Sequence, residues 1–272
     1  MKYILIIFLV AVPLAALVYG FWSVVSDLYD YFAQHVRYKV RRRQPLAVKY
    51  KRILQQYFAY YKALTPPEQK LFESKLKGFM YSKRFIARSV PQVTDEMRVL
   101  ISATAVQITF GLPGIYLEHF DKILIYADQY YSRINRRYHK GEVNPLLGII
   151  VISWRSFVEG FGDLRDSYNL GIHEMAHAIH LENRIKNDEY DFLDHSSLEA
   201  FELIAKREMS RINSGEAHFM RSYAGANEHE FFAVSLEYFF EQPDVMNKHL
   251  PDLYEVLCRL LNQHPLRIYQ KS

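Results

Sequence analysis

The chain is expected to adopt a mainly helical α+β fold with a small β-sheet, preceded by one N-terminal transmembrane helix. Three observations predict it. Helix-start signatures recur at Leu64-Thr-Pro-Pro-Glu-Gln69 and Val93-Thr-Asp-Glu-Met97, each with a Thr cap ahead of acidic first-turn residues. Short β-branched runs, Lys122-Ile-Leu-Ile-Tyr126 and Gly148 to Trp154, lie between helical patterns. The stretch from Tyr3 to Val25 is almost wholly apolar and uncharged, long enough to cross a bilayer as a helix.

With 272 residues, 50% of them apolar, the chain can bury a sizeable core in one or two domains. We divide it into a transmembrane anchor (1–26), a basic juxtamembrane segment with a helix (27–64) and a folded domain (65–272). A cleaved signal peptide is the rival reading of the first segment, since Ala11, Ala15 and Ala16 offer small residues. The retained anchor is favoured, because the run exceeds the usual apolar region of such a peptide. Arg37, Lys39, Arg41, Arg42, Arg43, Lys49, Lys51 and Arg52 follow the span. The positive-inside rule then makes the protein single-pass, with its C-terminal domain in the cytoplasm. The formal charge of +4 is modest, and its excess is local to this flank, so no nucleic-acid partner is expected. The single cysteine, Cys258, excludes an internal disulfide and sits in an apolar helical pattern, as a core residue does.

In chain order, Ala47 to Leu64 reads as a tyrosine-rich helix. Thr65 caps a second helix running to about Tyr81, with Pro66 in its first turn. Thr94 caps a third, through Ile108, which Gly111-Leu-Pro-Gly114 ends. Ile115-Tyr-Leu117, Lys122–Tyr126, Tyr130–Tyr138 and Gly148–Trp154 read as strands, with a turn near Lys140-Gly141. The last is either an interior strand or an edge open to strand addition by an extended peptide. A short helix from Trp154 leads into Asn169-Leu-Gly-Ile-His-Glu-Met-Ala-His-Ala-Ile-His180. The acidic stretch 183–194 reads as a solvated loop, His195 to Ile212 as a helix, and Asn227 to Pro243 as another.

The chemistry is concentrated in His173-Glu174-x-x-His177. Residues i and i+4 stack on one helix face, so both imidazoles can aim at one metal ion. Glu174, about 100° round the helix, can reach a water held there. Two ligands and a general base are the arrangement of a zinc hydrolase. A third protein ligand is needed. The helix from Asn227 offers Glu230 and Glu237, seven apart and on one face, whereas Glu228 and Glu241 point elsewhere.

These stretches resemble the Mlc titration factor A (MtfA) family of zinc-dependent peptidases, similar in catalytic core to anthrax lethal factor. The resemblance covers roughly Thr65 to Pro265. It is carried by Thr94-Asp-Glu-Met-Arg98, Val151-Ile-Ser-Trp154, Asn169-x-x-x-His-Glu-x-x-His177, and Tyr223-Ala-x-x-Asn227-x-x-Glu230-Phe-Phe-Ala-Val234, with Glu237-x-Phe-Phe and Pro243 following. The first and third ligand positions are 230 − 173 = 57 residues apart, close to the family spacing. The resemblance implies a gluzincin-like zincin domain with one zinc on His173, His177 and Glu230. It also implies Glu174 as general base and Tyr223 as oxyanion stabiliser. The substrate is then a peptide or protein, and a regulatory protein is a further partner. The chain departs from the family at His180, where Asp is usual. His180 is read as a polar neighbour, an outer-shell group or a pocket-lining residue. Glu237 either hydrogen-bonds a ligand histidine or is a polar residue in a buried helix. The rival function is a zinc-containing binding module that titrates a regulatory protein, with hydrolysis incidental.

Overall fold

The computed structural model describes Leu14, residues 17–22, Val25, 45–132, 136–162, 166–216 and 218–270. Most of the expected membrane span, and the basic run up to Arg43, lie outside the described residues. Among the described residues no helix is long and apolar enough to cross a membrane. Those described within the span are helical, and Leu17, Tyr19, Phe21 and Trp22 are exposed. The chain separates into two units, 1–44 and 45–272.

The second unit begins with α1 (Val48–Tyr57) and α2 (Ala59–Ala63), one expected helix broken at Phe58, whose backbone is extended. α3 (Pro66–Ser82) starts at Thr65 in a capping box with Glu68, which satisfies orphan N–H groups of the first turn. β1 (Arg84–Arg88), which the pattern did not announce, follows directly. α4 (Asp95–Thr109) is capped by the Thr94 hydroxyl and buried on nearly every side. A helix apolar all round belongs in a core. The hydroxyls of Thr104 and Thr109 are accommodated by donating to the carbonyls of Leu100 and Ala105.

Then come β2 (Lys122–Tyr126), β3 (Tyr130–Ser132), β4 (Arg137–His139), β5 (Gly141–Asn144) and β6 (Ile149–Ser153). The main sheet has the order β1-β2-β6-β5, parallel except for the β5–β6 pair, and β3 and β4 form a separate ribbon. Two expectations are corrected and one open alternative is decided. Ile115–Leu117 is not a strand; Ile115 and Leu117 are buried in an irregular loop. Tyr130–Tyr138 is not one strand: β3 and β4 pair with each other antiparallel. β6 is interior, which explains its unbroken apolar run, and the edge beside it is the polar β5.

α5 (Trp154–Glu159) leads to α6 (Leu170–Glu182), the helix of the His-Glu-x-x-His motif. Gly171 lets α6 approach α5 closely: a Cβ there would stand 2.6 Å from the Phe157 ring. The acidic stretch after α6 is not wholly solvated. Glu189 is buried and accepts from the backbone N–H groups of Tyr116 and Glu118, at 2.6 and 3.1 Å. α7 (His195–Asn213), a 3-10 turn (Ser222–Gly225) and α8 (Glu228–Glu241) follow. Every residue of α8 from Phe231 to Phe240 is buried. Pro243 ends α8 and also opens α9 (Pro243–His249), and α10 (Pro251–Leu261) and α11 (Pro265–Gln270) close the chain. Cys258 packs against the core, and burial pushes its thiol up to about 11, so it stays an inert thiol.

A candidate metal centre between two helices

α6 and α8 pack side by side and supply the site. Each begins on an asparagine. The Asn169 side chain accepts from the Ile172 N–H at 3.0 Å, and Asn227 accepts from the Glu230 N–H at 3.1 Å. Caps of this kind fix where each helix starts, and so the height of His173 and Glu230 on their helices.

His173, His177 and Glu230 converge. His173 Nε2 lies 3.1 Å from His177 Nε2 and 3.2 Å from Glu230 Oε2, and His177 Nε2 lies 3.5 Å from the same oxygen. Ligand atoms on a tetrahedral ion with bonds of about 2.0–2.1 Å stand about 3.3 Å apart. The triangle therefore matches three ligands of one small divalent cation. Glu230 Oε2 is buried and makes no hydrogen bond of acceptable geometry among the described residues, as expected of an atom reserved for a metal. As the cluster stands, burial opposes charge on His173, yet the neighbouring carboxylates of Glu230 and Glu237 outweigh it and raise the ring to about 10. Burial likewise opposes the Glu230 carboxylate, and His173 and His177 hold it far below the usual range. A cation would take over the role of that proton. The donor set fits a metal.

Glu237 settles one alternative left open by the sequence. It is buried, and its Oε1 accepts from His173 Nδ1–H at 2.8 Å. That bond leaves Nε2 free to face a metal. Glu237 Oε2 accepts from the Asn169 N–H at 2.8 Å, and Arg221 donates to Oε1. Arg221 also donates to the Ser167 carbonyl, and its guanidinium sits 4.5 Å from the Tyr168 ring. Nothing in its local sequence marks Arg221, so only the fold reveals this support.

Glu174 lies in the same cleft as His173, His177, Glu230 and Tyr223, only 5% exposed. Burial pushes its carboxyl up, against the pull of the two histidines. Gly141, at the start of β5, is its neighbour: a Cβ there would meet Glu174 Oε1 at 2.3 Å. Tyr223 comes from the 3-10 turn. It is half exposed, with its ring 6.2 Å from that of His173, and lines the clefts on both sides of the metal ligands. His180 does not line them. It is buried, 5.0 Å from the Phe232 ring, with Nδ1 3.3 Å from His229 Nδ1, and burial lowers it to about 3.

A mainly helical α+β domain with two histidines and a glutamate on neighbouring helices defines a metallopeptidase-type protein. The sequence comparisons agree. The family model for glucose-regulated metallo-peptidase M90 matches residues 32–261, so the chain belongs to that family, the family of Mlc titration factor A. It is 26% identical over 219 residues to the Mlc titration factor A of Yersinia pestis, covering 75% of this chain and 80% of that protein. The Yersinia pseudotuberculosis protein of the same name matches to the same extent. An uncharacterized protein of Synechocystis, slr2042, is 24% identical over 239 residues, 82% of this chain and 87% of its own length.

Proposed function

We propose that the chain is a gluzincin-type zinc peptidase in which His173, His177 and Glu230 hold one zinc. The triangle of ligand atoms, with the Glu174 carboxyl beside it, carries this reading. Zinc bound there supplies Lewis acidity for a scissile carbonyl and makes water easier to deprotonate. Glu174 takes a proton from water and returns it to the leaving amine, a role favoured by a carboxyl whose pKa burial has raised. Tyr223 donates a hydrogen bond to the carbonyl oxygen as charge builds there. Glu237 and Arg221 hold His173 in its tautomer. An extended peptide lies along the free edge of β5, whose Gly141, Glu142 and Val143 line the cleft.

Zinc content and cleavage of a mixed peptide library, measured for wild type and Glu174→Gln, test this. We expect both to hold one zinc and the variant to cleave about 10²–10⁴-fold more slowly. Equal cleavage by the two sinks the mechanism. The name of the Yersinia relatives favours a second reading, titration of a regulatory protein; zinc in both proteins and cleavage by neither would favour it. We further propose that residues 1–26 anchor the protein, with the peptidase domain cytoplasmic. The exposed Leu17, Phe21 and Trp22 support this. Release of the full chain from membranes by salt alone would refute it.

A further inference from the structure

A second cavity, of about 460 Å³, opens beside the first turn of α6 and shares no lining residue with the metal clefts. Its walls include Phe58, Tyr60, Phe161, Ile172, Phe240 and Tyr269. Gln107, in the last turn of α4, also lines it. This residue is only 7% exposed, yet its carboxamide hydrogen-bonds no described residue, and neither Oε1 nor Nε2 is sealed from solvent. The polar groups around it are engaged elsewhere. The Tyr60 hydroxyl donates to Gln263 Oε1 at 2.6 Å, the Tyr269 hydroxyl donates to the Phe240 carbonyl at 3.2 Å, and Asn169 Nδ2 donates to the Gly160 carbonyl and to Glu241. A buried amide that leaves both its donor and its acceptor unused is costly. The described lining holds no Lys, Arg or His, and burial pushes Glu241 up to about 8, so its carboxyl is mostly uncharged at neutral pH. Asp244, the other lining carboxylate, is exposed. The interior therefore favours an uncharged guest, and a chamber of this size suits a small organic molecule.

We propose that this cavity binds a small, neutral aromatic lactam or amide whose N–H donates to Gln107 Oε1 and whose carbonyl accepts from Gln107 Nε2. A carboxamide offers an acceptor and donors side by side, and an amide edge is the group that uses both at once. The flat aromatic body displaces water from the ring walls. A guest that lacks the N–H leaves Oε1 facing it without a donor, which is why such a site discriminates sharply between isosteres. The proposal does not depend on the peptidase reading, because the cavity and Gln107 stand apart from the metal ligands.

The test titrates the detergent-solubilised full chain with the bicyclic lactam carbostyril and, separately, with coumarin, the lactone in which oxygen replaces the ring N–H. Free probe concentrations are fixed by equilibrium dialysis, so that uptake into detergent cancels. Binding is read from the Ile172 methyl resonance, on the cavity side of α6. We expect the lactam to bind about tenfold or more tightly than the lactone, and this preference to vanish in Gln107→Met, which keeps the length of the side chain and removes the amide. Equal affinity for the two probes, a preference that survives in Gln107→Met, or an Ile172 methyl that does not respond to carbostyril would overturn the proposal. If the Met variant does not fold, the ratio of the two probes on wild type decides alone.

Discussion

Glu237 is one buried carboxylate meeting three donors: the His173 ring, the Asn169 N–H and Arg221. A buried charge is tolerable when its partners are this complete. Its effect on the metal runs through His173, because the Nδ1–H bond orients the ring. Glu237→Gln keeps the shape but weakens the bond to His173. We expect metal affinity to fall about 10–100-fold in a competition with a chelator, with the helical circular-dichroism signal unchanged. An unchanged affinity would show that Glu237 merely fills space.

The next scale is the packing of α6 against its neighbours. The Asn169 side chain caps the helix and also donates to the Gly160 carbonyl, at 3.2 Å, and to Glu241. Asn169→Ala removes all three bonds, and we expect a loss of about 2 kcal/mol in denaturant unfolding. A loss below about 0.5 kcal/mol would mean that water replaces the cap. β5 meets α6 at Gly141, where the nearest atoms to a new Cβ are the end of the Glu174 side chain. That end can swing away, so Gly141→Ala should fold and hold metal, yet lose peptide hydrolysis about 10²-fold. Full activity in this variant would show that Glu174 tolerates displacement.

For the whole molecule, metal and pH both act on stability. A metal bound to the folded state alone stabilises it by mass action, so a chelator should lower the melting temperature in proportion to the affinity lost. Glu241 gives a second handle. Its folded pKa is raised to about 8, against about 4.3 unfolded. Between these values the folded chain binds more protons, so this group makes stability fall as pH rises from about 4.3 to 8. Glu241→Gln should flatten that part of the profile. An unaltered slope in urea titrations at several pH values would show that Glu241 titrates normally.

The local grammar of the chain determined the helices with caps and punctuation that start at Thr65 and Thr94. It also determined the pairing of His173 with His177, since period 3.6 alone stacks them. For a third ligand it left Glu230 and Glu237 both open, and only the family resemblance, with its spacing of 57 residues from His173, singled out Glu230. What it left open depends on contacts distant in sequence. β1 and β5 are short strands without alternation, and only their partners make them strands. The same holds for the pairing of β3 with β4, the burial of Glu189 under the Tyr116 loop, and the place of His180 against Phe232. Arg221 joins the site by reaching Glu237, 16 residues on, and Gly141 by touching Glu174. A side chain's role there is set by which elements the fold brings beside it, and propensity and period carry no information about that.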